Sequence, residues 1–434
     1  MRYFRRFALG LLLTAAAALH AQTPTLTLQA DPDLLPAVEA LIAAYEAPVE
    51  IVNADADLIA TRDAALLPSG RLAPHFLPDA FLVLADSTAS AATDFAAFAV
   101  SPDGQQALID VGLLPDRVTI TDQRGNVLEI PQPVRRVITP YSLATYLVYG
   151  VDAEDRLVAG GYLGARTPIG AERMTAIDPR FPVLSSYVMN QREINIEEVA
   201  NLDPDVIFAS ARTAWLDTVA ELNIPVVLFQ GESPELLIEA MRIVGQIFGP
   251  NAQAQAEAWI AYYEDVVARV TAQTEALAEA ERPSVLVVGE EALRVVSGEM
   301  YQTHLVAAAG GRSVSAALTG GWNDVNLEQI VLWNPDVIVI VPYGRVTPQD
   351  LLNSPEWQAV AAVQAGQVYK MPSWVAPWDT PVPDSVLGVI WMAQTLFPGR
   401  VDLDCAAEMT RFFAAFYQHE IAPADAAAVC QAGR

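Results

Sequence analysis

The side chains best suited to chemistry in this chain are aromatics and arginines at the ends of apolar, β-branched runs. Tyr141 follows RVIT, Tyr162 and Arg166 follow RLVAGG, and Arg212 (with Trp215 nearby) follows DVIFAS. Tyr187 stands just ahead of a repeated phrase. Further on, Tyr301 follows VVSGEM, Trp322 precedes the second copy of that phrase, and Tyr343 and Arg345 follow DVIVIVP; Trp374 and Trp378 lie in PSWVAPWDTP. In open α/β sheets ligands sit beyond the carboxyl ends of the strands. Recurrence of these residues at such positions predicts a cleft with apolar walls and a few cations, fitted to a bulky or anionic ligand. Each aromatic taken alone is equally well explained as packing.

Catalytic templates are missing. The sequence has no GxSxG elbow, no GxxxxGK[ST] loop, no HExxH and no GxGxxG. Of the four histidines, His75, His304 and His419 stand alone and His20 lies in the leader. A general base is therefore scarce, and binding is expected in place of turnover. No metal site is expected either, since neither Cys has a CxxC partner. No cofactor is predicted.

The elements that must position the cleft are written twice. NIEEVANLDPDVIFAS (195–210) returns as NLEQIVLWNPDVIVIV (326–341), offset by 131 positions. In each copy an Asn suits the N-cap, and Glu198 or Gln329 three residues on completes the pattern of a capping box. The residue before Pro204 or Pro335 should end the helix. An apolar run follows that reads as a strand buried on both faces, as in a parallel sheet. Two copies imply two similar α/β lobes.

At 434 residues the chain is long enough for two or three domains. With 53% hydrophobic and 18% charged residues it is globular, and a net charge of −27 argues against nucleic-acid binding. Residues 1–21, with Arg2, Arg5 and Arg6 before an apolar run, read as a secretory signal peptide, so export and a periplasmic-type location are expected. No Cys adjoins the cleavage point, which argues against a lipid anchor. Cys405 and Cys430 suit a disulfide in an oxidising compartment, stabilising by about 3 kcal/mol on the chain-entropy account; two buried thiols are the alternative.

Residues 22–117 read as a small α/β segment with two terminal helices separated at Ser101-Pro102. Residues 118–248 open with a β-hairpin turning at Arg124-Gly125-Asn126 and continue as the first lobe. After Gly249-Pro250-Asn251 a helix from Ala252 to about Glu281 should run about 40 Å, a spine with Trp259, Tyr262, Tyr263, Val266 and Val270 on its apolar face. The spine is bounded as 249–282, and 283–434 as the second lobe with C-terminal helices.

The phrases TITDQRGNVLEIPQPVRRVI, EINIEEVANLDPDVIFAS, LVAAAGGRSV, NLEQIVLWNPDVIVIV, SPEWQAVAAVQAGQVYKMP and DTPVPDSVLGVIWMAQTLFP resemble, in order, the class III periplasmic binding proteins of ABC importers. These span about Val118 to Tyr417. FAAFAVSPDGQQALIDVGLLP, in the N-terminal segment, is similar to part of a molybdate-type periplasmic binding protein. The resemblance implies two α/β lobes joined by one long helix, a monomer, and a small-molecule cargo passed to a membrane permease and its ATPase. It also implies that Glu197 and Glu328, matching positions of the repeat, dock onto the permease; the helix dipole alone would favour a carboxylate somewhere in that turn. An iron chelate of siderophore or haem type is the cargo expected from the family, with molybdate or tungstate, then cobalamin, as alternatives. A secreted enzyme, or a sensor or adhesion module on the same scaffold, is the different-class alternative.

Overall fold

The structure, a computed structural model, describes residues 26–52, 56–63, 73–84, 90–164, 167–187 and 189–432. Residues 1–21, expected to be a signal peptide, and Arg166 lie outside the described residues. Three α/β layers follow one another along the chain, as the alternating patterns predict. The N-terminal sheet has the order Val49–Ile51, Leu26–Ala30, Leu58–Thr61, Ala80–Leu84, His75–Leu77, the first three parallel and the last two antiparallel. Its core is its own, built on residues such as Leu28, Leu41, Phe76 and Phe95. Helices Ser90–Val100 and Pro102–Asp110 break at Ser101, which caps the second by accepting from Gly104 N.

The first-lobe sheet is wholly parallel, in the order Val226–Phe229, Val206–Ser210, Val137–Thr139, Leu157–Gly160. In the second lobe Ser284–Val288, Val337–Ile340 and Val368–Lys370 run parallel, with Arg294–Val295 and Asn323–Asp324 added antiparallel and Arg312–Ser313 pairing alongside Ser284. The hairpin expected ahead of the first lobe is Arg117–Thr121 with Val127–Pro131, turning at Gly125 with φ 82°.

The repeat folds twice into the same unit. Asn195 accepts from Glu197 N and Glu198 N to open Ile196–Leu202, and Asn326 accepts from Gln329 N to open Leu327–Trp333. The reciprocal half of the expected capping box is not formed in either copy; Glu198 Oε2 is buried without a partner among the described residues. Each helix ends on a left-handed residue before proline, Asp203 and Asn334, both at φ 43°. The repeated Asp then clasps the neighbouring strand. Asp205 accepts from Arg135 N and Arg136 N, and Asp336 accepts from Ser284 N at 2.8 Å and Ser284 Oγ at 2.6 Å. Hydrogen bonds to a charged acceptor contribute about 1.5–3 kcal/mol. Asp336→Ala is therefore expected to cost about 2 kcal/mol, read as a lower urea midpoint; an unchanged midpoint would remove the clasp as a stabilising device.

The long helix is Pro250–Thr274, 25 residues or about 38 Å. It begins two residues before the expected start because Pro250 is compatible with a first helical turn. It also ends seven residues early, and Glu279–Glu281 is a separate 3-10 turn. Arg400 Nε donates to the Gln273 carbonyl at 3.0 Å, and Gln273 Oε1 accepts from Asp402 N, so the C-terminal segment satisfies the helix end there. Trp259, Tyr263, Val266 and Val270 are buried as predicted, within one core that includes Val137 and Phe208 of the first lobe and Val285 and Val339 of the second. Tyr262 is half-buried against Phe412 and Phe416, and its hydroxyl donates to Glu408.

At the elbow before this helix, Gly249 takes φ 96° and a Cβ there would meet Gln105 at 2.7 Å. The buried Phe248 carbonyl at the helix end accepts from Gln105 Nε2 and Arg156 Nη1, both at 2.9 Å, while Arg156 Nη2 reaches the Val100 carbonyl. These bonds seat the N-terminal unit on the elbow. Cys405 and Cys430 are joined by a disulfide, closing Cys405–Phe416 onto Pro423–Gln431.

Candidate functional site

A cleft of about 710 Å³ lies where the carboxyl ends of the strands in both lobes face each other. From the first lobe, Tyr141 and Ser142 enter after Val137–Thr139, Ser210 and Arg212 after Val206–Ser210, and Gln230 and Glu232 after Val226–Phe229. From the second lobe, Glu290 follows Ser284–Val288 and Tyr343 follows Val337–Ile340. Pro377 and Thr380 complete that wall.

Backbone and side-chain bonds fix most of these groups. Asp122, 3% exposed, accepts from Arg124 N, Asn126 N and Leu228 N, which ties the hairpin turn to the sheet and sets Arg124 at the cleft rim. Arg124 Nη1 also donates to the Ala211 carbonyl at 3.3 Å. Asn190 Oδ1 accepts from Arg192 N, and the Asn190 carbonyl accepts from Trp215 Nε1 at 2.7 Å, so Trp215 is a buried prop for the loop bearing Arg192. Arg212 approaches Glu232 at 3.4 Å. Among the described residues no carboxylate forms an ion pair with Arg124 or Arg192. A Cβ on Gly231 would meet Pro381 at 2.8 Å and Tyr141 Oη at 3.2 Å, so glycine lets this turn pass close to Pro381 and the Tyr141 hydroxyl.

Burial, with Glu232 adding and Arg212 opposing, pushes the Tyr141 hydroxyl above its ordinary range, and burial with Asp379 does the same for Tyr343. Both stay neutral phenols near neutral pH. The two walls differ: three guanidinium groups with Glu232 and the Tyr141 phenol stand on the first lobe, and Glu290 with the Tyr343 phenol on the second.

Of the residues expected to bind ligand, the structure brings Tyr141, Arg212 and Tyr343 together in the cleft. Tyr162, Tyr301 and Trp378 are corrected to the core, at 8%, 1% and 0% exposure. Tyr162 packs edge-on against Phe181 and meets Tyr149 Oη at 3.2 Å; Tyr301 Oη bonds Ser385 Oγ at 2.7 Å. Tyr187 is half-buried against the first-lobe core, and Trp322 lies against Gly289. Arg345 is exposed and its side chain is outside the cleft, although its N–H holds the Glu290 carbonyl. Trp374 lines a different hollow, with the Arg173 guanidinium 3.7 Å above its ring. Arg124, Arg192, Glu232 and Glu290 were not anticipated. The same strand-end rule reaches Glu232 after VVLFQG and Glu290 after VLVVG when acids are counted beside aromatics and arginines.

Glu197 and Glu328 are both exposed, each in the first turn of its repeat helix. Among the described residues no group of three or more His, Cys, Asp or Glu is placed to hold a metal, and no helix is long and apolar enough to cross a membrane.

The periplasmic binding protein family matches residues 137–374, which takes in both repeats and leaves the N-terminal sheet outside. The molybdate-binding protein MolA of Haemophilus influenzae is 25% identical over 347 residues, covering 72% of this chain and 94% of MolA. The vitamin B12-binding protein of Yersinia pestis is 24% identical over 224 residues, 50% of this chain and 72% of that protein. A solved periplasmic solute binding protein from Veillonella parvula superposes with a TM-score of 0.63 at 26% identity, over 72% of this chain and 96% of the other.

Proposed function

The chain belongs to the periplasmic binding protein family, and from that premise we propose that it captures an anionic cargo between its lobes for delivery to the permease of an ABC importer. The observation that carries the charge of the cargo is the first-lobe wall. Arg124, Arg192 and Arg212 line it, against the one carboxylate of Glu232 beside Arg212, in a chain whose net charge is −27. Guanidinium groups are well matched to carboxylate and other oxyanion oxygens.

The size of the cleft favours a ferric chelate bearing carboxylate or catecholate oxygens, since about 710 Å³ is the scale of a drug-sized ligand and not of a single tetrahedral ion. A second reading, molybdate or tungstate held at the arginines alone, is favoured by the similarity to MolA along nearly all of MolA's length. The cleft works by binding, in keeping with relatives named as binding proteins. Glu197 and Glu328 are the proposed contacts to a basic permease surface.

The test is a thermal-shift panel of ferric citrate, a ferric catecholate siderophore, haem, cyanocobalamin, molybdate and tungstate. A ligand at 100 times its dissociation constant stabilises by about 2.7 kcal/mol. A shift is expected with an anionic chelate or an oxyanion. The variant Arg124→Ser, Arg192→Ser, Arg212→Ser should bind the same probe about 100-fold more weakly or worse, given the strength of charge-assisted bonds. Undiminished binding by the triple variant would place the cargo elsewhere.

A further inference from the structure

Beneath the second-lobe wall lies a carboxyl group that the cleft reading does not use. Asp379 is 2% exposed and sits between Pro377 and Thr380, which line the cleft. Its Oδ2 accepts from Gln302 Nε2 and from Tyr343 Oη, each at 3.0 Å. Its Oδ1 has no partner among the described residues, and neither has Oε1 of Gln302, a side chain only 4% exposed. Both residues border a closed space walled by Val287, Leu305, Val339, Val341, Met371 and Met392, with no room for a water molecule.

Two acceptors cannot satisfy one another, and an unpaired buried acceptor is costly. The Nε2–Oδ2 bond already sets the amide and carboxyl heads together. One proton on Oδ1 then satisfies both orphaned atoms, donating to the amide carbonyl while the amide donates back. We propose that Asp379 is held as a neutral carboxylic acid paired with Gln302, that this pair positions Tyr343 in the cleft wall, and that loss of the proton charges the floor of the cleft and weakens anion capture. The capture step rests on the anionic-cargo reading; the protonation does not.

The surroundings agree. Gln302 comes from helix Tyr301–Ala308, Tyr343 from the loop after Val337–Ile340, and the strands and helix behind contribute only apolar groups. Burial holds the Asp379 carboxyl up at about 6, against the smaller opposing effects of Gln302, Tyr343 and its own backbone N–H, and no cation contributes. Glu290, an acid on the cleft side, acts on Tyr343. Because the folded value lies above the unfolded one of about 3.9, the stabilising contribution is complete below that lower value and is lost as pH rises through about 6.

Asp379→Asn supplies the same pairing permanently: its N–H reaches the Gln302 carbonyl and its oxygen still accepts from Tyr343. Melting curves of the chain without cargo should lie closest to wild type at pH 4.5, near the lower end of the titration window, and at pH 7.5 the variant should melt several degrees higher, the gap widening with pH. A variant melting several degrees below wild type at pH 7.5 would overturn the proposal. Infrared spectra give a second reading: a protonated-carboxyl band present in wild type at pH 5 and missing from the variant is expected, and identical spectra overturn it. With molybdate or ferric citrate as probe, wild-type affinity should fall about tenfold from pH 5 to pH 7.5 while the variant stays flat. Parallel slopes would overturn the coupling to capture. If neither anion binds, the anionic-cargo reading falls, and the melting curves and infrared band still decide the state of Asp379.

Discussion

Reversing both repeat carboxylates, Glu197→Arg with Glu328→Arg, is expected to abolish import while leaving cargo affinity within about twofold, since neither residue lines the cleft. The two positions are equivalent by the 131-residue offset, both exposed, and carried on helices capped in the same way by Asn195 and Asn326. Two matching acids, one per lobe, suit a two-point contact with a basic surface. Like charges brought together at an interface cost several kcal/mol, so the pair of reversals should remove productive docking altogether. Leu332, 78% exposed and one turn beyond Glu328 on the same short helix, would add apolar area to the second of the proposed contacts. Each Arg also opposes the helix dipole by about 0.3–1 kcal/mol, so Glu→Gln at both sites is the control for folding. The measurement is uptake into proteoliposomes carrying the cognate permease, alongside cargo titration of the free protein. Uptake at the wild-type rate by the double reversal would place the docking surface elsewhere on the molecule.

Much of the scaffold was legible because local chemistry and tertiary packing agree. The repeat announced itself through Asn at the cap, a residue before proline at the end, and an apolar run to follow; the structure adds the left-handed turn at Asp203 and Asn334 and the clasp made by Asp205 and Asp336. Nothing local marks those Asp residues as clasps, because the strands they hold are 70 and 52 positions away in sequence. The N-terminal strands Leu58–Thr61 and His75–Leu77 were missed; at four and three residues they carry too little periodicity.

The candidate site was legible only in part, for a geometric reason. A position at the carboxyl end of a strand says which end of the sheet a side chain occupies, not whether the next bend turns it outward or in. Tyr141 turns into the cleft, its hydroxyl lying close to Gly231. Tyr162 turns the other way, into Tyr146, Tyr149 and Phe181. Trp378 is likewise drawn into the common core, whereas Tyr343 stays at the cleft because its hydroxyl is anchored on Asp379. Arg124 shows a further limit. It was noticed as a hairpin turn, and only the bonds from Asp122 to the sheet reveal that the turn reaches the cleft.

Trp259→Ala should be the most destabilising single core change at the centre of the long helix, at about 3–5 kcal/mol, the range for removing a buried indole. Trp259 is 0% exposed, its ring lies 5.2 Å from that of Tyr263, and its Nε1 donates to the Pro383 carbonyl at 3.3 Å. Pro383 in turn packs so closely on Gly150 that a Cβ there would meet it at 2.8 Å. The indole therefore fills the joint where helix Ser142–Gly150 of the first lobe, the long helix and the start of Ser385–Leu396 converge. A cavity at that joint loosens both lobes at once, unlike a cavity inside one sheet. Urea unfolding distinguishes the cases. A single transition moved to lower urea with an unchanged slope means the continuous core makes the lobes one cooperative unit. Two separated transitions would mean that each lobe holds itself together and the helix only links them. The shared core, with Trp259 among residues of both sheets, argues for the single transition, and the same sharing explains why a protein built from two copies of one unit need not behave as two.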